Sequence, residues 1–338
     1  MLSLKRAGEL LKQYDIHAPE AAEAVTTIQA WRKTFLSPMQ TIYVALRKAA
    51  KEVDVSSNTA RRLKKLRSIQ HKLRRNSEMR LPTMQDIGGC RAVVTSVSQV
   101  RELSEKMQSK RAKRELTKLD DYIESPKESG YRSLHLIFLQ PVGKNGVTEK
   151  KKIEVQIRTN LQHTWATAVE LAEMATNFKL KAGEGTEDWK RFFALVSSVF
   201  ALQEGTPPVP GTPETKAQII KELKGINDKH KIIDQLTVLR LFRRALDDVP
   251  QMQGLKKEEH RHYILYINSE KQEFLTQPYS NYEQAYRDYM EREKLENGID
   301  SVVLVSVESY SSLQAMYPNY FADIGEFLNI LHNLLGTS

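Results

Sequence analysis

A single cysteine, Cys90, occurs in 338 residues. That scarcity excludes an intrachain disulfide and any zinc finger built on several cysteines, so no zinc is expected. Long apolar runs are also missing. No stretch approaches the ~20 residues that span a bilayer, so no membrane partner is expected. The N-terminal segment MLSLKRAGELLKQYD scatters charges through an amphipathic pattern and lacks the apolar core of a secretory signal. Internal repeats and low-complexity tracts are absent too. These absences together point to a cytoplasmic protein.

What is abundant is positive charge. Lys and Arg number 51 against 42 Asp and Glu, a net charge of +9. Such an excess suits polyanionic partners, nucleotides or RNA, although a generic basic surface has the same composition. Much of the excess sits in one place, RRLKKLRSIQHKLRR at 61–75. Like charges one helical turn apart repel, so something anionic is expected beside this segment.

The length suggests two domains. Residues 1–55 show helical spacing, with Pro38 in the first turn of a helix. The basic segment, 58–75, reads as a further helix. Strands are expected at CRAVVTSV, RSLHLIFLQPV and KKIEVQIRT, with GKNG as a turn. In the last of these strands Ile153, Val155 and Ile157 alternate with Glu154, Gln156 and Arg158. Helices are expected at VSQVRELSEKMQ and LQHTWATAVELAEMATNF. Strands interleaved with helices predict an α/β (α+β) domain over 1–204. The Pro-rich stretch GTPPVPGTPET begins a linker and helical segment over 205–255. A smaller α+β unit follows at 256–338, with a hairpin, a helix, the strand SVVLVSVES and a closing helix capped by Asp323 and Glu326.

Three polar clusters fall among these strands. Asp86 in DIGGCR is a turn residue or part of a site where Gly88 and Gly89 let a phosphate–metal group approach the backbone. The loop DYIESPKESGYRSLH offers Lys127, Tyr131, Arg132 and His135. Its tyrosine can stack on a base or simply pack the loop down. Glu154–Gln156–Arg158 is a structural ion pair or an acid beside an anion-binding arginine.

Taken in order, R62-L-K64…S68-I69…K72, DIGGCR, the YI..PK..GYRSLH loop and EVQIRT followed by His163 resemble the alarmone synthetase domain of the RelA/SpoT family. The resemblance covers about residues 45–180 and implies a mixed β-sheet flanked by helices. It implies that Arg62, Lys64, Ser68, Lys72 and Arg91 bind the phosphates of ATP. Asp86 and Glu154 would hold Mg²⁺, with Glu154 also helping to deprotonate the attacking 3′ hydroxyl. Tyr131 would stack on the acceptor base, with Lys127, His135, Gln156, Arg158 and His163 around it. Transfer of this type rests on positioning and charge neutralisation.

The chain departs from the family pattern at Ser129, where the loop commonly has Asn, and at Lys65-Leu66, where a small residue and proline are usual. The first change removes a base contact from a guanine nucleotide; Lys65 and Arg67 add charge that a free nucleotide does not require. The expected acceptor is therefore the 3′ CCA end of tRNA, ahead of a guanosine or adenosine nucleotide and of a silent RNA-binding module. YPNYF at 317–321 is similar to a segment of the CapRel fused toxin–antitoxins, whose C-terminal domain resembles a zinc finger without metal. That likeness implies restraint of the ATP site by Tyr317 and Tyr320, with a phage capsid protein as the trigger, although two tyrosines around a proline also serve ordinary packing.

Overall fold

The computed structural model describes residues 1–108, 114–142, 149–176, 186–238, 261–268, 273–294, 300–317 and 324–336. Its centre is a mixed eight-stranded sheet in the order β3-β4-β5-β2-β1-β8-β6-β7. The strands are β1 (Asn58–Leu63), β2 (Gly88–Val94), β3 (Glu115–Asp121), β4 (Leu134–Val142), β5 (Glu149–Thr159), β6 (His262–Asn268), β7 (Glu273–Tyr279) and β8 (Asp300–Val307). Only β2 and β5 pair in parallel; the other neighbours are antiparallel. The fold class is α+β, as the strand and helix patterning predicts.

Alternation divides the sheet into two faces. Ile153, Val155 and Ile157 on β5 are fully buried. They share one apolar cluster with Cys90, Ala92 and Val94 of β2 and with Ile42 and Leu46 of α3 (Leu36–Val53). Helix α5 (Val97–Met107) packs on the sheet beside α3, and α1 (Leu4–Gln13) packs against α2 (Ala22–Lys33). Glu154, Gln156 and Arg158 point to the opposite face, which α6 (Asn160–Thr176) borders. Helix α7 (Glu187–Gln203), with Phe192, Phe193 and Phe200 buried, packs on α6 and on α8 (Lys216–His230).

Residues 58–75 are not one helix. Asn58–Leu63 forms strand β1 and only Leu66–Arg75 forms helix α4. The strand wins because β1 is paired on both edges, with β2 and with β8; partners on two sides outweigh local propensity. Adjacent Arg61 and Arg62 therefore face opposite sides of the sheet.

The Pro-rich stretch 205–215 is fastened to the core and is not a free connector. The buried Arg132 guanidinium donates to Ile123 O at 3.1 Å, to Ser197 Oγ at 3.1 Å and to Pro207 O. The Val209 amide donates to Ser198 Oγ at 2.9 Å. Proline restricts the unfolded chain here, so the segment costs less entropy to pin. Helix α8 runs to His230; Lys231 then breaks the helix at φ 51°, and a short helical stretch at 232–238 follows. The GKNG turn and the end of the expected helical segment, 239–248, lie outside the described residues.

The C-terminal unit adds β6, β7 and β8 to the sheet with α9 (Tyr282–Lys294), α10 (Tyr310–Met316) and α11 (Gly325–Leu335). The seam is short: Ala60↔Val307 and Arg61↔Ser306. The closing helix has Ile324, not Asp323, at its N-cap, with no side-chain cap bond. Asp323 is outside the described residues. The helix is held by packing instead, its Phe327 buried between Phe193 and Phe200 of α7.

A buried ion pair crosses the molecule. Arg32 on α2 donates to Glu293 Oε2 on α9 at 2.6 Å and to the Tyr289 hydroxyl at 3.0 Å, with both charged side chains fully buried. Glu293 Oε1 accepts from Tyr289 and from the Leu66 amide at 3.0 Å, the first residue of α4. Burial opposes ionisation of Glu293, but Arg32 outweighs it and holds the carboxyl below its ordinary 4.5. Stability from this group is therefore present above pH 4.5 and lost as pH falls through the depressed value. Arg32→Met strands a buried carboxylate and is expected to cost roughly 3–5 kcal/mol in urea denaturation. Glu293→Gln keeps an acceptor for the Leu66 amide but strands the buried Arg32 guanidinium, which cannot shed its charge, so it should cost at least as much. A loss below about 1 kcal/mol in either variant would count against this account.

Candidate active site

Sheet register assembles the polar face. Arg62, Gly89 and Glu154 form one cross-strand row, and Ala60, Arg91, Gln156 and His135 the next. Residues in a row project to the same side. Gly89 stands between Arg62 and Glu154 and contributes no side chain, which leaves an open floor. That floor belongs to a cavity of about 290 Å³ lined by Arg62, Lys64, Ser68, Asp86, Arg91, Glu154 and Gln156. The sequence places all seven of these at the site, and the fold brings them together. The cavity also takes in Lys65, Cys90, Glu170 of α6 and Tyr317.

Asp86 precedes β2 and receives two ammonium groups. Lys64 Nζ and Lys72 Nζ each donate to Asp86 Oδ2 at 2.9 Å. Burial would raise this carboxyl; the two lysines outweigh it and hold it below the carboxylate range. Oδ1 is buried with no hydrogen-bond partner among the described residues. An orphaned carboxylate oxygen facing a cavity suits a cation. The described residues contain no group of three or more His, Cys, Asp or Glu able to hold a metal. Mg²⁺ requires no such cage, since one or two carboxylates completed by phosphate oxygens and water suffice. Asp86 and Glu154 therefore fit Mg²⁺.

From Glu154 a chain of polar groups runs along β5 and β4. His135 Nδ1 lies 3.1 Å from Glu154 Oε1, and Gln156 Nε2 donates to Oε2 at 2.8 Å. His135 Nε2 is 2.8 Å from the Tyr131 hydroxyl, which accepts from Arg158 Nη2 at 2.6 Å. Burial would raise Tyr131; Arg158 and His135 outweigh it and bring the phenol down to about 7. Burial disfavours charge on His135, yet Tyr131 and Glu154 raise it above its ordinary value. Glu154 is held low, against burial, chiefly by His135. Arg158 is buried, and its Nε and Nη1 have no partner among the described residues.

The loop keeps its shape through Gly130, at φ 89°. A Cβ there would come within 2.9 Å of Ser197 and of Trp165. Tyr131 is only 8% exposed, so its ring is not open to a base in this state. Lys127 sits 4.5 Å from the Tyr122 ring centre and 5.4 Å from that of Tyr131. Ser129 Oγ has no partner among the described residues.

The C-terminal unit reaches this face at α10. His163 Nε2 is 2.9 Å from Ala315 O, and Arg91 Nη1 donates to Met316 O at 3.4 Å. Burial, with Arg91 and Arg158 nearby, pulls His163 down to about 3, so the ring is neutral and donates to the carbonyl. Tyr317 is buried in the cavity wall. Tyr320 lies outside the described residues. Sequence reasoning missed Tyr122 and Glu170. Tyr122 opens the YI..PK..GYRSLH loop but is given no role there, whereas Glu170 belongs to no motif, and only the meeting of α6 with β2 brings it to the cavity.

The family description "Region found in RelA / SpoT proteins" matches residues 61–177. GTP pyrophosphokinase YjbM of Bacillus subtilis (strain 168) is 37% identical over 169 residues, 48% of this chain and 77% of that protein. GTP pyrophosphokinase YwaC of the same strain is 36% identical over 115 residues, 32% of this chain and 54% of that protein, so the match spans about half of YwaC. Small alarmone synthetase 1 from Bacillus subtilis, solved with its product pppGpp, aligns with 25% identity and a TM-score of 0.44, over 52% of this chain and 94% of that one. The chain belongs to the RelA/SpoT family of pyrophosphotransferases.

Because Tyr131 is the largest influence raising His135, the Tyr131→Phe protein should show a His135 imidazole that titrates at lower pH than in the wild type. An NMR titration of the ring checks this, and an unchanged or higher value would break the proposed chain.

Proposed function

We propose that the chain transfers a pyrophosphoryl group from ATP to a nucleoside 3′ hydroxyl, with the tRNA 3′ end as acceptor. The observation that carries the reading is the cavity in which Arg62, Lys64 and Arg91 surround the carboxylates of Asp86 and Glu154, the latter at the head of the His135–Tyr131 chain.

In this reading the ATP phosphates lie against Arg62, Lys64, Lys72 and Arg91, whose charges offset the load on the polyphosphate. The acceptor oxygen bonds to the β-phosphorus as the bond from that phosphorus to the α-phosphate oxygen breaks, and AMP leaves. The hydroxyl proton passes to Glu154, whose low pKa makes it a weak base, so it acts by holding the hydroxyl in line more than by removing the proton early. Mg²⁺, bound through Asp86 and Glu154, would supply further neutralisation of phosphate charge. Glu154 is kept oriented by His135 and Gln156.

For the acceptor, Lys65 in the cavity wall favours a longer polyanion. A guanosine nucleotide is the second reading, favoured by the naming of YjbM and YwaC as GTP pyrophosphokinases. The C-terminal unit is proposed as a restraint. Tyr317 occupies the wall where an adenine ring would compete by stacking, and α10 engages His163 and Arg91. The CapRel resemblance supplies the candidate trigger, a phage capsid protein that favours an open state.

Incubation of the Tyr317→Ala protein, in which the proposed restraint is loosened, with γ-³²P-ATP and either tRNA or GDP separates the readings: label in tRNA supports the first, label in GDP alone supports the second, and label in neither rejects transfer. Tyr317→Ala should raise the rate of the full chain. On that background, Asp86→Asn and Glu154→Gln should each lower it by on the order of a thousandfold or more. Gly89→Val offers a sharper check. A Cβ at Gly89 finds only Arg62 O, at 3.8 Å, and valine suits a strand. The variant should keep or exceed wild-type thermal stability while losing transfer; an active Gly89→Val protein would place the phosphates elsewhere. If tRNA is the acceptor, reversing Lys65 and Arg67 should lower the salt slope of its binding by about one unit per lost phosphate contact.

A further inference from the structure

We infer that the chain has a second anion site, for a diphosphate group, on the face of the sheet opposite the active site. A cavity of about 590 Å³ opens there, at the junction of α3, β1, β6, β8 and α9. Its charged and titratable lining is Lys33, Arg47, Arg61, Arg261, His262 and Glu283. Four of the six are permanent cations, and one is an acid.

Arg61 is the strongest sign of a ligand. It is 6% exposed, and it lines this cavity while also bordering the active-site cavity on the other side of β1. Its guanidinium lies 5.7 Å from the Tyr43 ring centre and 4.7 Å from that of Tyr282. Those two rings hold it in place from helices α3 and α9. Among the described residues it makes no ion pair, and its Nε has no hydrogen-bond partner. A buried guanidinium without an anion is costly, and like charges gathered around it add repulsion. An anion entering the cavity relieves both. Burial together with Arg61 and Arg261 pulls His262 down to about 4, so the ring is a neutral hydrogen-bonding group that adds no charge.

The ligand class follows from size and charge. The volume lies within the range of small-molecule pockets. Three guanidiniums and an ammonium match the several oxygens of a diphosphate, and guanidinium forks suit them in pairs. The phosphates of a nucleoside diphosphate or free pyrophosphate supply that chemistry. Lys33, Arg47 and Tyr43 come from the N-terminal helices, whereas Arg261, His262 and Tyr282 come from the C-terminal unit. A bound diphosphate therefore ties the two parts together and stabilises their docked arrangement by mass action.

Calorimetry of the full chain, with inorganic pyrophosphate and separately with ADP, tests the site. Two binding events are expected in the wild type. Lys64→Gln with Lys72→Gln should remove the one in the active-site cavity. Arg47→Gln with Arg261→Gln should weaken the other roughly tenfold to a hundredfold, as befits two lost charge-assisted contacts. Lys33→Gln alone, at an exposed position, should weaken the same event severalfold and serves if the double variant does not fold. Binding of pyrophosphate but not ADP identifies a free diphosphate; binding of both identifies a nucleotide. The absence of any binding event weakened by the Lys33, Arg47 and Arg261 substitutions overturns the proposal. So does a set of variants that changes binding of a short RNA but not of pyrophosphate.

Discussion

A single carboxylate, that of Glu293, holds three parts of the chain in one place. It takes Arg32 from α2, Tyr289 from its own helix and the Leu66 amide from the start of α4. Helix α4 has no side-chain cap of its own. Its first turn carries free N–H groups and a partial positive charge, and a buried carboxylate satisfies both. Since α4 also carries Lys72, which grips Asp86, the C-terminal unit helps to set the position of that lysine at the cavity. The ion pair is costly to bury and costly to break. That asymmetry gives the docked arrangement its specificity.

Strand β1 imposes the second constraint. Paired on both edges, it cannot rotate, so its alternation turns Arg62 to the candidate active-site cavity and the Arg61 guanidinium to Tyr43 and Tyr282 behind it, although Arg61 borders both cavities. Two basic residues that stand side by side in sequence thus serve different faces. The same rule on β5 gives an apolar face of Ile153, Val155 and Ile157 and a polar face of Glu154, Gln156 and Arg158. The candidate active site is in this sense the open side of a half-buried sheet, floored by Gly89 and walled in part by Tyr317.

This logic explains what could be read from the sequence. The alternation on β5 and the helical spacing in α3 and α6 are local signals, and the structure follows them. The cluster around Asp86 was legible because its residues belong to motifs whose spacing reflects the cavity. The strand character of NTARRL was not. Its charges suggested a helix, and only the two neighbouring strands, one nearly 250 residues away in sequence at Val307, make it a strand. Glu293 and Glu170 were silent for a related reason. Each sits on an ordinary helix, and its role comes from what the fold places opposite. The prolines at 205–215 misled because proline marks loops without saying whether they are pinned, which here depends on Arg132.

The C-terminal unit is attached in two places by different means. Away from α10 it is held by the buried Arg32–Glu293 pair, by tyrosines 279, 286 and 289 in the main apolar cluster, and by α11 against α7. At the candidate active site it is held by two bonds from His163 and Arg91 to backbone carbonyls and by Leu313, Met316 and Tyr317, buried in one cluster with Ala60 and Val93. Hydrogen bonds of this kind contribute about 0.5–1.5 kcal/mol each, and burying a Leu or Met side chain adds about 1.5–3 kcal/mol. Breaking the buried pair costs roughly 3–5 kcal/mol. The α10 contact therefore rests on apolar burial as much as on its two hydrogen bonds, and the Glu293 anchor rests on charge; both hold the C-terminal unit against the sheet.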